Sequence, residues 1–249
     1  MLKIIRLALV ACLLSAAPAL AAEFDAAQKN ELNAIIHDYL VKNPEVVREA
    51  LQELDRRQTE AEDNARKSAI AAKAPTIFHQ AGDLVGGNPN GKITMVEFFD
   101  YNCGYCRKAF PDVMKMLEED KDLRLVMKEF PILGPGSTYA ARAALASRKQ
   151  GKYWEYHLAL MRYEGHIDEA SADAVAQSVG LDVVRLKADM ASDDITSVIK
   201  RNMSLADALN IQGTPAFVVD ERIIPGAIGY DGLAAAVKEV RDGGGCQSC

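Results

Sequence analysis

Two cysteine pairs are the residues of this chain with the clearest chemistry. They are Cys103-Gly104-Tyr105-Cys106 and Cys246-Gln247-Ser248-Cys249, and both have C-x-x-C spacing. Two thiols one helical turn apart can close into a disulfide, and either can be displaced by another thiolate. Such pairs can also hold a metal ion or form a permanent cross-link. The elements that surround each pair decide among these chemistries.

The first pair stands between a predicted strand and a predicted helix. Residues 93–99 are apolar, β-branched and aromatic, which is typical of a buried strand, and the pattern predicts a helix over 107–119. A cysteine at the start of a helix meets unpaired N–H groups and the positive end of the helix dipole, which favour its thiolate. We therefore expect Cys103 to be an exposed attacking thiol and Cys106 a sheltered resolving thiol.

The distance between the two pairs in the sequence helps to decide whether they form a metal site. Residues 107–245 separate the two pairs, whereas a zinc ribbon separates its pairs by roughly 15–20 residues, and no histidine lies near either pair in the sequence. A redox role of Cys103 and Cys106 is therefore favoured over a zinc site or a structural bridge, and no cofactor is expected. Three interpretations of Cys246 and Cys249 stay open: a second redox relay, a Cu(I) site or a terminal disulfide.

The amino-terminal residues have the pattern of an export signal. Lys3 and Arg6 precede an apolar run over 7–14, and Ala19-Leu20-Ala21 has the small-x-small pattern that predicts cleavage after Ala21. Cys12 would leave with this segment, and its surroundings argue against lipidation. Export predicts a periplasmic protein in an oxidising compartment. The net charge of −6 argues against nucleic acid as a partner.

The predicted elements after residue 75 form an α/β domain. Strand 93–99, helix 107–119 and strand 123–130 make a βαβ unit with parallel strands. A helical region covers about 136–210, strands 216–219 and 222–224 form an antiparallel hairpin, and a last helix covers 230–241. Residues 76–78 are interpreted as a short edge strand. Residues 243–249 are interpreted as a flexible tail that carries the second pair.

Residues 22–74 are interpreted as a helical extension. Asn43-Pro44 divides it into two helices, and the second is expected to end at residues 73–75. The extension is either an amphipathic segment that packs on its own domain or a self-association stalk, and its polarity favours the stalk. Apolar positions form a stripe on the first helix and a heptad seam on the second: Leu32, Ile35, Ile36, Tyr39 and Leu40, then Val47, Leu51, Leu54, Gln58, Ala61, Ala65 and Ser68.

The segment over residues 97–106 resembles the active-site segment of the DsbA family. The resemblance covers about 76–242 and implies a thioredoxin-like fold with a helical insertion. The helical extension and the Gly104-Tyr105 dipeptide are most similar to the copper-sensitivity suppressor C group, some members of which are trimeric isomerases. The family pattern divides the chain into a signal peptide (1–21), an oligomerisation extension (22–74), a DsbA-like domain (75–242) and a tail (243–249).

The resemblance also implies roles for individual residues. Thr214-Pro215 matches a loop with a cis proline that faces the cysteines and, with Gly104 and Tyr105, contacts substrate. Glu97 matches a buried acid beneath the cysteines that accepts the Cys106 proton, and Lys128 matches a basic residue beside that acid. Strongly oxidising members carry Pro-His between their cysteines, so the dipeptide of this chain argues against strong oxidising power. His37, His79, His157 and His166 are expected to be packed or solvated.

Three functions are compatible with this pattern. The first is an oligomeric disulfide isomerase or reductase, with a trimer favoured, that acts on unfolded or misoxidised exported proteins and is kept reduced by a membrane redox partner. The second is a monomeric dithiol oxidase, and the third is a copper-handling cysteine module. The extension favours the first over the second, and the strand–turn–helix position of Cys103 disfavours the third.

Overall fold

The computed structural model describes residues 24–249. The expected signal sequence, its cleavage after Ala21 and Cys12 all lie outside the described residues. The chain forms two compact units that divide between Thr59 and Glu60, inside a helix, whereas the sequence placed the domain boundary after residue 74. In the described part, no helix is long and apolar enough to cross a membrane.

The first unit is helical and exposes its apolar side chains. Helix α1 (Ala26–Lys42) begins at a capping box formed by Asp25 and Gln28. It ends at Asn43, and α2 (Pro44–Phe78) begins at the proline, as predicted. Nine large apolar residues of this unit keep between 43% and 65% of their surface accessible; they are Phe24, Leu32, Ile35, Ile36, Tyr39, Val41, Val47, Leu51 and Leu54.

Helix α2 runs further than the sequence indicated. It continues through Pro75 to Phe78, so the predicted end at 73–75 and the predicted edge strand at 76–78 are both wrong. The Lys128 ammonium donates to the Thr76 carbonyl at 2.6 Å, and the Arg124 guanidinium donates to the Phe78 carbonyl at 2.7 Å. These cations satisfy carbonyls of the last turn that have no partner within the helix.

The second unit is built on a five-stranded mixed sheet with strand order β1-β3-β2-β4-β5. Strands β2 and β3 are parallel, and the other pairs are antiparallel, including the predicted β4–β5 hairpin. Strand β1 lies at the edge of the sheet, beside β3. The strands are β1 (Leu84–Gly87), β2 (Ile93–Phe99), β3 (Leu123–Glu129), β4 (Ala216–Val219) and β5 (Arg222–Pro225).

Helices cover both faces of this sheet. All seven residues of β2 and all but Arg124 of β3 are buried, as expected for parallel strands between two layers. The helical insertion follows β3 as predicted. The remaining helices are α3 (Gly104–Glu119), α4 (Pro135–Ser147), α5 (Tyr153–Arg162), α6 (Glu169–Ser178), α7 (Val183–Met190), α8 (Asp193–Ala208) and α9 (Gly229–Asp242).

Candidate active site

The first cysteine pair lies at the carboxyl end of β2, where α3 begins. Cys103 is the N-cap of α3, and Cys106 lies in its first turn. Cys103 keeps 7% of its surface and Cys106 keeps none. The order of accessibility is as predicted, but Cys103 is much less exposed than the sequence suggested. Both cysteines are free thiols, so the structure shows the reduced site.

Hydrogen bonds at the helix start stabilise the Cys103 thiolate. They lower the pKa of Cys103 to about 5: the Cys106 thiol makes the largest contribution, and the Thr214 side chain and the backbone N–H groups of Cys106 and Tyr105 add to it. Burial of the sulfur raises its pKa, but by less than the hydrogen bonds lower it. Cys103 is therefore a thiolate at neutral pH, which is the nucleophilic form of cysteine.

Cys106 has the opposite character. Burial, the hydrogen bond to Cys103 and the nearby Glu97 carboxylate raise its pKa far above the usual range of a thiol. Glu97 is 2% exposed, and its Oε1 atom has no hydrogen-bond partner. Burial, with a smaller contribution from the Cys103 charge, raises the pKa of Glu97 to about 8. The acid predicted beneath the cysteines is therefore buried and mostly protonated at neutral pH.

The loop before β4 completes the site. The Thr214–Pro215 peptide bond is cis, as the family resemblance implied. The Cys103 Sγ atom lies 3.1 Å from the Thr214 carbonyl oxygen, so this loop faces the attacking sulfur. Tyr105 is 66% exposed beside it, and Gly104 is also exposed. Of the predicted substrate-contact residues, Pro215 is buried and Thr214 is half-buried.

Lys128 does not belong to this cluster. In the β2–β3 register, Glu97 is opposite Met127, and Lys128 is opposite Phe98. Side chains alternate between the faces of a sheet, so Lys128 points to the face away from the cysteines. There its ammonium pairs with the buried Asp83 carboxylate at 2.5 Å. The prediction that Lys128 lies beside Glu97 is wrong.

Comparison with known proteins decides the family. Residues 94–238 match the DSBA-like thioredoxin domain, and residues 28–61 match the copper resistance protein ScsC N-terminal domain. The chain belongs to the DSBA-like family. The resemblance to the copper-sensitivity suppressor C group is confirmed, because the second match covers most of the helical extension.

Solved structures agree with this assignment. The chain is 45% identical to a thioredoxin-like oxidoreductase from Silicibacter pomeroyi, covering 68% of this chain and 97% of that one with a TM-score of 0.67. A linker-deletion mutant of Proteus mirabilis ScsC is 31% identical over 90% of this chain and 99% of its own, with a TM-score of 0.69. The DSBA-like region is therefore a thiol–disulfide oxidoreductase domain of the DsbA and ScsC type.

Some of the curated sequences that this chain matches are larger proteins, of which it spans only a part. It is 32% identical to a Na⁺/H⁺ antiporter from Salinispora arenicola over 62% of its own length and 24% of the antiporter. The chain thus spans about a quarter of the antiporters that it matches. The similarity covers part of this DSBA-like chain and gives no evidence that the chain transports ions.

Asn102 anchors the active-site loop, a role that the sequence did not reveal. Its side-chain amide donates to the Ile167 carbonyl at 2.9 Å and accepts from the Ile167 N–H at 2.7 Å, and it also contacts Ser137 Oγ at 3.2 Å. Asn102 thereby ties the residue before Cys103 to the helical insertion. The adjacent Asp100 carboxylate accepts from the N–H groups of Ile132 and Leu133. The active-site loop of this DSBA-like domain is therefore anchored from two sides.

A buried polar cluster lies behind the same loop. The Glu129 carboxylate accepts from the hydroxyls of Tyr101 at 3.0 Å and Tyr153 at 2.7 Å, and the Tyr101 hydroxyl is 3.1 Å from His157 Nδ1. Burial raises the pKa of Glu129 to about 8 and lowers that of His157 to about 3. His157 is thus a packed, neutral histidine, as expected from the sequence.

Proposed function

We propose that the protein is an exported, oligomeric disulfide isomerase or reductase that attacks substrate disulfides through Cys103. The observation that carries this proposal is the Cys103 sulfur at the start of α3, with a pKa of about 5 and with Thr214 opposite it. A stable thiolate leaves readily from a disulfide, so the site favours attack followed by release.

The chemistry of the first step is the same in both activities. The Cys103 thiolate attacks one sulfur of a substrate disulfide, which forms a mixed disulfide and releases the other sulfur as a thiolate. In isomerisation, a substrate thiolate then attacks the mixed disulfide and regenerates Cys103 with no net transfer of electrons. In reduction, Cys106 attacks instead, and the protein leaves with a Cys103–Cys106 disulfide that a membrane redox partner must reduce.

Glu97 is proposed to act in the reduction reaction, in which Cys106 attacks the mixed disulfide. While Cys103 is a thiolate, its charge helps to raise the pKa of Glu97. In the mixed disulfide this charge is absent, so the Glu97 proton is held less tightly. Once that proton has left to solvent, the carboxylate can accept the Cys106 proton as Cys106 attacks. Lys128, on the opposite face of the sheet, has no part in this transfer.

An open groove beside the cis proline supports the binding of extended polypeptides. It has a volume of about 1130 Å³ and includes Thr214, Pro215 and Gly226. Ala65 and Ala69 of α2 line its far side, where their small side chains leave room for substrate. We propose that the segment flanking a substrate cysteine lies here while the cysteine is joined to Cys103.

The helical extension favours an isomerase over a monomeric oxidase. Burying a large apolar side chain contributes about 1.5–3 kcal/mol, and Leu51 and Leu54 are 61% and 58% exposed. Self-association through this seam, as a trimer by family resemblance, removes that surface from water. Several Cys103 sites around a common space would recapture a released substrate at high effective concentration.

Point substitutions in the extension test its self-association better than a deletion of the extension. A deletion through residue 72 would also remove Ile70, which is fully buried in the second unit. We expect Leu51→Glu/Leu54→Glu to give a monomer by light scattering that still reduces insulin but does not reactivate scrambled ribonuclease. Gln52→Glu/Thr59→Glu adds the same charge at exposed polar positions and should remain oligomeric and active. A monomeric wild-type protein that oxidises substrates would favour the dithiol oxidase instead.

Export is tested separately. We expect the protein to be recovered from the periplasmic fraction with a mature amino terminus at Ala22. Retention of residues 1–21 in the recovered protein would contradict the proposed location.

A further inference from the structure

The tail that carries the second cysteine pair makes hydrogen bonds to the second unit in this structure. Gly244 and Gly245 have positive φ angles of 100° and 95°, which turn the chain back after α9, and the Gly245 N–H donates to the Val240 carbonyl at 3.0 Å. Cys246 and Cys249 then form a disulfide with a Cα–Cα distance of 5.3 Å. The tail is therefore packed against the second unit.

Asp220 fixes the backbone between these two cysteines. Its Oδ1 atom accepts from the N–H groups of Gln247 at 2.8 Å and Ser248 at 2.7 Å. Asp220 lies in the β4–β5 turn and is only 9% exposed. Its carboxylate and the two sulfurs lie within 4.8 Å of one another. A buried carboxylate therefore stands next to the two sulfurs of the disulfide.

The second pair cannot resolve disulfides held by Cys103. The Cys249 Sγ atom lies 3.8 Å from the Thr94 carbonyl oxygen, at the amino end of β2. Cys103 follows the carboxyl end of the same strand, and about 17 Å of strand separates Thr94 from Phe99. The tail pair is thus a separate site whose chemistry does not depend on the first.

We propose that the reduced Cys246–Cys249 pair and Asp220 bind one zinc ion, and that the disulfide closes this site. Reduction takes two electrons and two protons from a dithiol donor, which becomes a disulfide. Zn²⁺ then displaces the two thiol protons and is held by two thiolates and the second carboxylate oxygen of Asp220. Water fills the fourth position of the tetrahedral site.

The ligand set and its surroundings select zinc. Zn²⁺ accepts sulfur and oxygen ligands together, whereas Cu(I) prefers sulfur alone. The carboxylate is already oriented by the two tail N–H groups, as metal ligands usually are by a second layer of hydrogen bonds. A cavity of about 200 Å³, lined in part by Asp220, Arg222 and Gln247, adjoins the cluster and gives an ion a path of entry.

The test uses the full chain with Cys12, Cys103 and Cys106 replaced by serine, so that only the tail cysteines remain. After reduction with a phosphine, this protein should take up one Zn²⁺ per chain in competition with a chromophoric chelator, and the metal should raise its melting temperature. The oxidised form should take up none. Cys246→Ser/Cys249→Ser should abolish binding, and Asp220→Asn, which keeps an acceptor for the tail N–H groups, should weaken it by at least about tenfold.

Four results would overturn the proposal: no zinc bound by the reduced protein, equal binding by the disulfide form, unchanged affinity in Asp220→Asn, or uptake of Cu(I) without uptake of Zn²⁺. Circular dichroism of each variant separates loss of the site from loss of the fold.

Discussion

The Sγ atom of Cys103 lies 3.1 Å from the carbonyl oxygen of Thr214. The attacking sulfur and the residue before the cis proline therefore face each other across the site, while Cys106 lies behind them without any exposed surface. This arrangement gives the two thiols different tasks, because only Cys103 can be reached from outside.

Alkylation of the reduced protein should follow this difference. Brief iodoacetamide treatment should modify Cys103, with a rate that rises through a midpoint near pH 5, because the pKa of Cys103 is about 5. Cys106→Ala removes the largest cause of the low pKa and should move the midpoint upward, whereas Cys106→Ser keeps a donor and should move it less. Peptide mass spectrometry reads out the site, and predominant labelling of Cys106 would reverse the assigned roles.

Glu97→Gln should slow resolution and leave the first attack nearly unchanged. The amide cannot accept the Cys106 proton, and loss of a general base typically costs on the order of 10²-fold or more. Stopped-flow measurements should therefore show a mixed disulfide that accumulates. Glu129→Gln is the matched control, since Glu129 is also a buried acid but is bonded to Tyr101 and Tyr153. Equal rates for wild type and Glu97→Gln would exclude this role.

Stability should fall as the pH rises from 6.5 to 8. The folded-state pKa of Glu129 is about 8 against an ordinary 4.5, so its contribution is full below pH 4.5 and is lost as the pH rises toward 8. The loss is about 1.4 kcal/mol per pH unit, or about 2 kcal/mol over this window. Below pH 6.5, protonation of His157 in the unfolded state acts in the opposite direction, because its folded pKa is about 3.

Urea unfolding of the oxidised protein measures how the free energy of unfolding changes with pH, without a contribution from the titration of Cys103. Glu129→Gln should lose about 2 kcal/mol less than wild type between pH 6.5 and 8. A slope identical to that of wild type would mean that Glu129 is ionised in the folded protein at neutral pH.

Asn102→Ala should destabilise the protein by about 2–3 kcal/mol, because both backbone groups of Ile167 lose their partner. Asn102→Asp keeps the acceptor for the Ile167 N–H and should lose part of this stability. Denaturant unfolding gives the difference, and a change within about 0.5 kcal/mol would mean that the loop does not depend on this anchor.

The sequence predicted the elements whose signals are local. The strand before Cys103, the hairpin at 216–224 and the Asn43-Pro44 break each have a pattern of a few residues, and the structure has all three. The cis bond at Thr214-Pro215 came from family resemblance. The central residues of the active site could therefore be identified from the sequence alone.

The errors have a common physical origin in tertiary contacts. Almost every residue of β2 and β3 is buried, so hydrophobic alternation could not show that Glu97 and Lys128 face opposite sides. Helix α2 continues through Pro75 to Phe78, and Lys128 and Arg124, which are distant in sequence, satisfy carbonyls of its last turn. Asn102 meets Ile167 across 65 positions of sequence, a contact that no local pattern indicates.

The most direct test is to trap the substrate on the enzyme. Reduced Cys106→Ala protein, which cannot resolve, should form a one-to-one mixed disulfide with scrambled ribonuclease, and mass spectrometry should place the bond at Cys103. The same protein with Cys246→Ser/Cys249→Ser should trap as much substrate. An adduct through Cys246 or Cys249, or no adduct at neutral pH, would contradict the assignment of Cys103 as the attacking thiol.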